Sequence, residues 1–440
     1  MICMWIGIDD TDSRIGGCTT YVAFHLIQRL IKNGFSIIGF PRLVRLNPNI
    51  PWKTRGNGAV AVQIGVGAFS SDRMIGFKDN QGLMSGDVIS SGSIDFERVK
   101  SIVCDLVEEF ALFDEENTNP GIVISKEQLP NELYWNAIRK VVTVDEIVEQ
   151  LDTLNTWYKG YKNRRGLIGA SAALSWNDTF DRTFEIIKYR LEKRWGTKRI
   201  INESSVKMMN DQCPSTFDNY DALNQHISIA PNSPCPVLFG IRGDDNDVLP
   251  YCSELIESET AEGWLIFMSN QATDDHLQVK SIHNIEPFQS VISRGIVTKK
   301  PVTIPGGHVI FSLHDDSGMI DCAAYEPTKE FRKMVRQLER GDEVSVYGGV
   351  RSHPLTINIE KIQIHHLVDI FEKIENPVCP QCGRHMKSKG KDQGFICKRC
   401  KTFEKQGIFE KKSRSIVKGF YEVPVCARRH LSKPLKRMRL

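Results

Sequence analysis

Two Cys-x-x-Cys pairs constrain this chain more than any other feature. Cys379-Pro-Gln-Cys382 and Cys397-Lys-Arg-Cys400 stand 14 residues apart, measured between the inner cysteines. Each pair puts two thiolates on one turn, and two such turns complete a tetrahedral site with no position left for a reactive water. A structural zinc ribbon is expected, with Zn²⁺ organising a domain too small to bury a core of its own. His385 is surplus to the ligand count and Cys426 is a bystander. The remaining cysteines are irregularly spaced, which suits reduced thiols better than a disulfide framework.

The ribbon accounts for a small part of 440 residues, a length that predicts three or four domains. The net charge of +3 hides an asymmetry. Residues 373–440 hold 19 Lys or Arg against 5 Asp or Glu, a net of +14, which leaves the first 372 residues at −11. One end is built for a polyanion. No 18-residue apolar run is present, and Met1-Ile-Cys-Met-Trp5 lacks the charged start of a signal peptide, so a cytoplasmic protein without membrane contact is expected.

At the other end, Trp5-Ile-Gly-Ile leads into Asp9-Asp10-Thr11-Asp12-Ser13 and then Gly16-Gly17-Cys18-Thr19-Thr20 at the start of a helical pattern. Three acids within four residues repel one another unless a cation sits between them. Such ligands suit Mg²⁺ held jointly with substrate phosphates, and the glycine-to-helix turn offers backbone N–H groups to those phosphates. An acidic turn with a threonine helix cap is the plainer alternative. Farther on, Pro51-Trp-Lys53-Thr-Arg55-Gly56-Asn57-Gly58 carries two cations into a strand, as either a phosphate-covering loop or a simple Gly-Asn-Gly turn.

The first segment alternates strand runs (residues 5–8, 36–40, 59–65) with helical patterns (20–33, 94–110), an α/β arrangement ending near Asn117–Pro120. A second α/β domain is expected over 121–230, with a strand at 121–125 and a helix from Thr143 to about Gln150. Its Gly166-Leu-Ile-Gly-Ala run has close helix packing as the commoner cause. Residues 183–190 have helical spacing that puts Glu185 and Tyr189 on one face, read either as a ligand surface or as an ion-pair stripe. The proline-rich connector 231–245 can return to the first domain. Beyond it, β-rich runs at 294–302, 308–314, 319–325, 343–350 and 355–364, with a helix at 328–338 between the third and fourth, follow the order of an OB barrel. His308, Phe311, His314, Tyr325 and Tyr347 are its basic or aromatic candidates, with Phe311 and Tyr347 expected in the core.

Taken together, Asp9-Asp10-Thr11-Asp12 with Gly17-Cys-Thr-Thr-Tyr21, the Pro51–Ala59 loop, Gly166-Leu-Ile-Gly-Ala, Gly240-Ile-Arg-Gly and Tyr325-Glu-Pro-Thr, in this order before a zinc ribbon, resemble archaeal tRNA(Ile) 2-agmatinylcytidine synthetases. The resemblance covers essentially the whole chain. It implies a multidomain α+β and α/β protein. Residues 1–117 would form an ATP-using kinase-like domain, to which 231–285 can belong, and 118–230 a ferredoxin-like domain. Residues 286–370 would form the OB-fold, and 375–440 the zinc ribbon with a basic tail. It also implies ATP, Mg²⁺ and structural Zn²⁺, with agmatine and a CAU-anticodon isoleucine tRNA as partners. Asp9, Asp10 and Asp12 would hold Mg²⁺, and Thr19 falls on the family's phosphorylatable threonine. Gly17, Thr20, Lys53, Arg55, Gly56, Asn57 and Arg242 would cradle the nucleotide. Agmatine's guanidinium calls for a carboxylate fork, for which Glu185 and Asp244 are candidates. Two rivals are a non-catalytic single-strand nucleic-acid binder, which leaves the acid turn unexplained, and a small-molecule kinase with an RNA-binding appendage. The tail past Arg428 is unusually basic, and is expected either to neutralise phosphates without reading bases or to be a solvated segment.

Overall fold

The computed structural model describes residues 3–90, 92–179, 181–390 and 392–438. The apolar run before the acid turn becomes β1 (Cys3–Asp9), an interior strand of a sheet, buried almost throughout as near-continuous apolar strands are. α1 (Thr19–Lys32) follows, then β2 (Ser36–Arg45) and β3 (Gly58–Gly65). β4 (Gly67–Lys78) and β5 (Gln81–Ser90) form a hairpin absent from the sequence reading. Its tip, Asp79 and Asn80, has φ of 52° and 60°, the left-handed pair that a tight two-residue turn demands. α2 (Phe96–Phe110) starts at Asp95, whose side chain accepts from the Arg98 N–H.

The expected break near residues 117–120 is not a break in the sheet. β6 (Gly121–Ser125) pairs antiparallel with β1, Ile124 opposite Ile6. α3 (Glu132–Arg139) and α4 (Val144–Thr153) come next, the latter opened by a reciprocal capping box between Thr143 and Glu146. β7 (Trp157–Gly160) extends the edge, and α5 (Gly166–Ser175) lays its small residues against β1, β3 and β6. β8 (Thr183–Arg190) corrects the helical reading of that segment. It carries Thr, Phe, Ile and Tyr and is buried almost throughout, and residues four apart share a face in a strand as they do on a helix, so spacing alone misled.

The chain continues through α6 (Glu203–Gln212) and the short strands β9 (Thr216–Phe217), β10 (Tyr220–Asp221) and β11 (His226–Ile227). It returns as β12 (Val237–Gly243), α7 (Leu249–Glu254) and β13 (Ala261–Ser269). β13 pairs with β8 on one side and with β4 and β2 on the other, which joins two units into one sheet of order β7-β6-β1-β3-β2-β5-β4-β13-β8-β12-β9. Cys213, just past the end of α6, and Cys252, within α7, are linked by a disulfide. This corrects the expectation of reduced thiols outside the ribbon: 39 residues apart in sequence, the two are brought together only by helix packing.

β14 (Leu277–Val279) leads into the barrel, made of β15 (Ser290–Val297), β17 (His308–Asp315), β18 (Gly318–Ala324), β19 (Glu343–Arg351) and β20 (Thr356–His366), with β16 (Val302–Ile304) on an edge. α8 (Glu330–Val335) lies between β18 and β19. β15 pairs with both β19 and β17, closing the barrel. Phe311 is core, as expected; Tyr347 is half-buried under the Lys361 ammonium.

β21 (Ile370–Glu375) reaches the ribbon, built on β22 (Lys387–Ser388), β23 (Phe395–Ile396) and β24 (Phe403–Glu404), and β25 (Ile408–Lys412) returns along β21. The segment after it is neither part of the ribbon nor a solvated tail. β26 (Gly419–Glu422) adds to β20 of the barrel, and residues 425–438 then run back across the main sheet as a strap. There Arg428 pairs with Asp218 and Glu422, Lys433 with Asp181, and Arg437 with Asp181 and Asp244. The expectation of a solvated tail is thereby corrected: Arg428, Lys433 and Arg437 pair with carboxylates that lie mostly in the acidic first 372 residues. No helix among the described residues is long and apolar enough to cross a membrane.

Candidate active site

The acid turn leaves β1 at Asp9 and bends at Asp10, whose φ is 58°. Asp9 is 8% exposed and packs against α5 so closely that a Cβ at Gly169 would lie 1.9 Å from its Oδ2. Burial, and then the neighbouring charge of Asp10, hold the Asp9 carboxyl well above the usual carboxylate range. Asp10 is pushed up to about 6 by burial, although Arg165, 3.0 Å away, opposes the shift. Asp12 accepts the Thr19 backbone N–H at 2.8 Å and the Thr19 hydroxyl at 3.3 Å, so it caps α1 from the loop while orienting that hydroxyl. Thr11 donates to the same Thr19 oxygen at 3.0 Å. Arg55 lies 2.7 Å from Asp12 and donates to the Gly17 carbonyl, and Asp12 raises the Arg55 pKa against the opposing effect of burial.

One cavity holds Asp9, Asp10, Asp12, Lys53, Arg55, Asn57 and Arg165. A second, of about 220 Å³, shares Asp12 and Arg55 with it and adds Thr19, Thr20, Gly56, Glu185, Arg242 and Arg45. Strands that are distant in sequence, β1, β8 and β12, thus bring together most of the expected site. Asp244 is not among the lining residues; it is exposed and bonded to Arg437 at 2.7 Å. Gly17, with φ of 57°, shapes the turn behind Thr19.

Glu185 and Asp244 are not free carboxylates. Glu185 is held by Arg242 at 3.3 Å, Arg45 at 3.5 Å and Gln271 at 2.5 Å. Despite its burial, Arg242 and Arg45 draw its pKa below the usual range. Each of the two carboxylates expected to take a guanidinium therefore already holds one from this chain.

The four ribbon cysteines behave differently from the acids. Their sulfurs all lie within 4.8 Å of one another, with Cys379 and Cys397 buried and Cys382 and Cys400 half-buried. No other group of three or more metal-type ligands among the described residues converges in this way, the Asp9–Asp12 trio included. A set of four thiolates suits zinc, and leaves no open position.

Four family models match consecutive parts of the chain: the TiaS TCKD domain over residues 5–162, the TiaS FLD domain over 164–276, an OB-fold nucleic acid binding domain over 291–366, and the TiaS C-terminal zinc ribbon domain over 376–416. The tRNA(Ile2) 2-agmatinylcytidine synthetase TiaS of Methanocaldococcus jannaschii is 44% identical, covering 99% of this chain and 99% of its own. The chain belongs to the tRNA(Ile2) 2-agmatinylcytidine synthetase family. Among solved structures of that family, a TiaS-tRNA(Ile2)-ATP complex is 41% identical, with a TM-score of 0.86 over 100% of this chain and 98% of the other. A TiaS-tRNA(Ile2)-AMPCPP-agmatine complex is 39% identical with a TM-score of 0.84 over the same shares.

Two side chains at the candidate site, Arg45 and Gln271, escaped sequence reasoning. Arg45 ends a strand with no motif around it, and Gln271 stands in a loop. His430, in the basic tail, lines the second cavity from the C-terminal strap. Arg165, which holds Asp10, stands in the sequence as a cation directly before the Gly166 run.

Proposed function

We propose that this chain is an ATP-dependent ligase that joins agmatine to C2 of the wobble cytidine in a CAU-anticodon isoleucine tRNA, forming 2-agmatinylcytidine so that the tRNA reads AUA. The observation that carries this is the Asp12–Thr19 pair, with the acid turn and Arg55, in a chain related to this family over its full length. A tRNA substrate supports a cytoplasmic location.

The chemistry requires the cytosine O2 to become a leaving group, and phosphoryl transfer from ATP accomplishes that. The Thr19 hydroxyl donates to the Asp12 carboxylate, which can take its proton, and this supports a role for Thr19 in carrying a phosphoryl group in transit. Asp9, Asp10 and Asp12 fit Mg²⁺ by donor chemistry: two of them carry raised pKa values that a divalent cation would relieve, and Mg²⁺ needs only one or two carboxylates besides phosphate oxygens. When bound, it would neutralise charge on the transferring phosphoryl group. Lys53, Arg55 and Arg242 supply fixed positive charge, while Gly17, Thr20, Gly56 and Asn57 allow close approach of a nucleotide. Glu185 positions Arg45 and Arg242. The barrel and the zinc ribbon hold the RNA, whose anticodon loop can splay one cytidine into the cavity.

The test is to incubate the protein with ATP, agmatine and unmodified tRNA, then digest to nucleosides and weigh them. A cytidine heavier by agmatine less water, formed only with all three substrates, is expected. ATP turnover without modified cytidine would favour the small-molecule kinase, and RNA binding without turnover the non-catalytic binder.

A further inference from the structure

The four matched segments end at residue 416, short of the strap. The strap is nevertheless built into the catalytic unit. The Ala272 and Asp274 N–H groups donate to the carbonyls of His430 and Leu431 at 2.8 and 2.9 Å, and the Lys433 N–H donates to the Asp274 carboxylate at 2.7 Å. These bonds hold Arg429 and His430 over the Pro51–Gly58 loop, where they enclose a cavity of about 290 Å³.

The polar lining of this cavity is cationic apart from one imidazole. Arg45, Lys53, Arg55, Arg429 and His430 face it, together with apolar side chains and Gly56, and no carboxylate does. Lys53 forms no ion pair among the described residues; its ammonium rests on the Pro48 carbonyl. Arg429 donates through Nη1 to Asn49 at 2.6 Å and pairs through it with Glu360 at 3.1 Å. Two polar atoms are shielded from solvent without a partner, Nε of Arg45 and Nδ1 of His430. A Cβ at Gly56 would lie 2.7 Å from Arg45 Nη1 and 3.3 Å from His430 Nε2, so the glycine keeps this wall open. Burial and the charges of Arg45, Arg242 and Lys53 keep the His430 imidazole neutral. Desolvated cations crowded together with orphaned donors cost free energy, which an anion would recover.

We propose that the C-terminal strap completes a phosphate-binding pocket on the catalytic unit, with Arg429 and His430 as its contacts to the phosphate oxygens. This rests on the proposed reaction for its two phosphate sources, the nucleotide and the RNA backbone. The strap then ties the end of the chain, already joined to the barrel through β26, to the catalytic site.

The test uses full-length protein carrying His430→Phe or Arg429→Gln, with ATP alone and tRNA alone as probes. Because the His430 side chain makes no hydrogen bond among the described residues, His430→Phe breaks none, and its Tm is expected to stay at or above the parent value. Its affinity for the phosphate ligand is expected to fall on the order of tenfold. A loss confined to ATP assigns the nucleotide. A loss confined to tRNA, with the log-log salt slope of Arg429→Gln shallower by about one, assigns the RNA backbone. If His430→Phe lowers Tm, His430→Gln provides the same comparison with a polar side chain retained. Affinities within about twofold of the parent for both probes, in folded variants, overturn the proposal. Wild-type ligation is measured separately, so failure of the pocket and failure of the ligase reading give different results.

Discussion

The zinc ribbon and the acid turn are both clusters of ligand-type residues, but they are assembled in opposite ways. The cysteines bring their sulfurs within 4.8 Å of one another, each pair of ligands coming from one turn. The acids, closer in sequence, point apart: Asp9 into α5, Asp10 to Arg165, Asp12 to Thr19 and Arg55. Thiolates at two-residue spacing converge through local turn geometry. Carboxylates that repel are placed by whichever distant cation or N–H claims them, so the acid turn becomes a site only in its tertiary setting.

The strongest way to break this comparison is Asp12→Asn. It loosens three functions at once, the Thr19 cap, the hydroxyl orientation and the Arg55 pair, and is expected to cut ATP turnover on the order of 10³-fold. Circular dichroism should report an intact fold; near-parental turnover would mean that the turn is only a helix cap. Cys397→Ser should next abolish zinc content by atomic absorption and weaken tRNA binding, with tRNA-independent ATP turnover within about twofold, because a closed four-thiolate site has no catalytic position. Parallel loss of both activities would show that the ribbon and the acid turn fold as one unit.

Smaller effects sharpen the contrast. Arg437, 7% exposed and bonded to Asp181 and Asp244, is as dependent on tertiary context as Asp12. Arg437→Ala should cost about 2 kcal/mol in denaturant unfolding. Its charge is already matched within the protein, so the salt slope of tRNA binding should not change; a shallower slope would return the strap to the role of a simple polyanion contact. Asp9→Asn should stabilise. With the folded Asp9 value raised above the ordinary 3.8, the folded state holds the proton more tightly, and stability falls as pH rises from 3.8 through the raised value. Removing that charge should raise Tm by about 2–4 °C at pH 8 and by less at pH 5, at the expense of activity. An equal gain at both would remove ionisation as the cause.

Much of the architecture was legible because it rests on local rules. The Thr143–Glu146 capping box, the five barrel runs with a helix between the third and fourth, and the apolar strand before the acid turn all state their structure within a short window. β8 was misread because Glu185 and Tyr189 share a face in either conformation. The β4–β5 hairpin was missed although Asp79-Asn80 is a turn pair. Cys213 and Cys252 carry no spacing signal, and helix packing alone joins them.

By itself, the sequence determined the ribbon's ligand set, the order of the units and the chemical character of the acid turn, since thiolate spacing, strand patterning and carboxylate identity are properties of short segments. Only the tertiary structure decided that β13 joins two units in one sheet, that Glu185 and Asp244 are engaged by this chain's own guanidiniums, and that the basic end is a strap over the catalytic unit. Those outcomes depend on which opposite charges and unpaired backbone groups meet across hundreds of residues, and that is settled by burial and distance, to which sequence proximity gives no access.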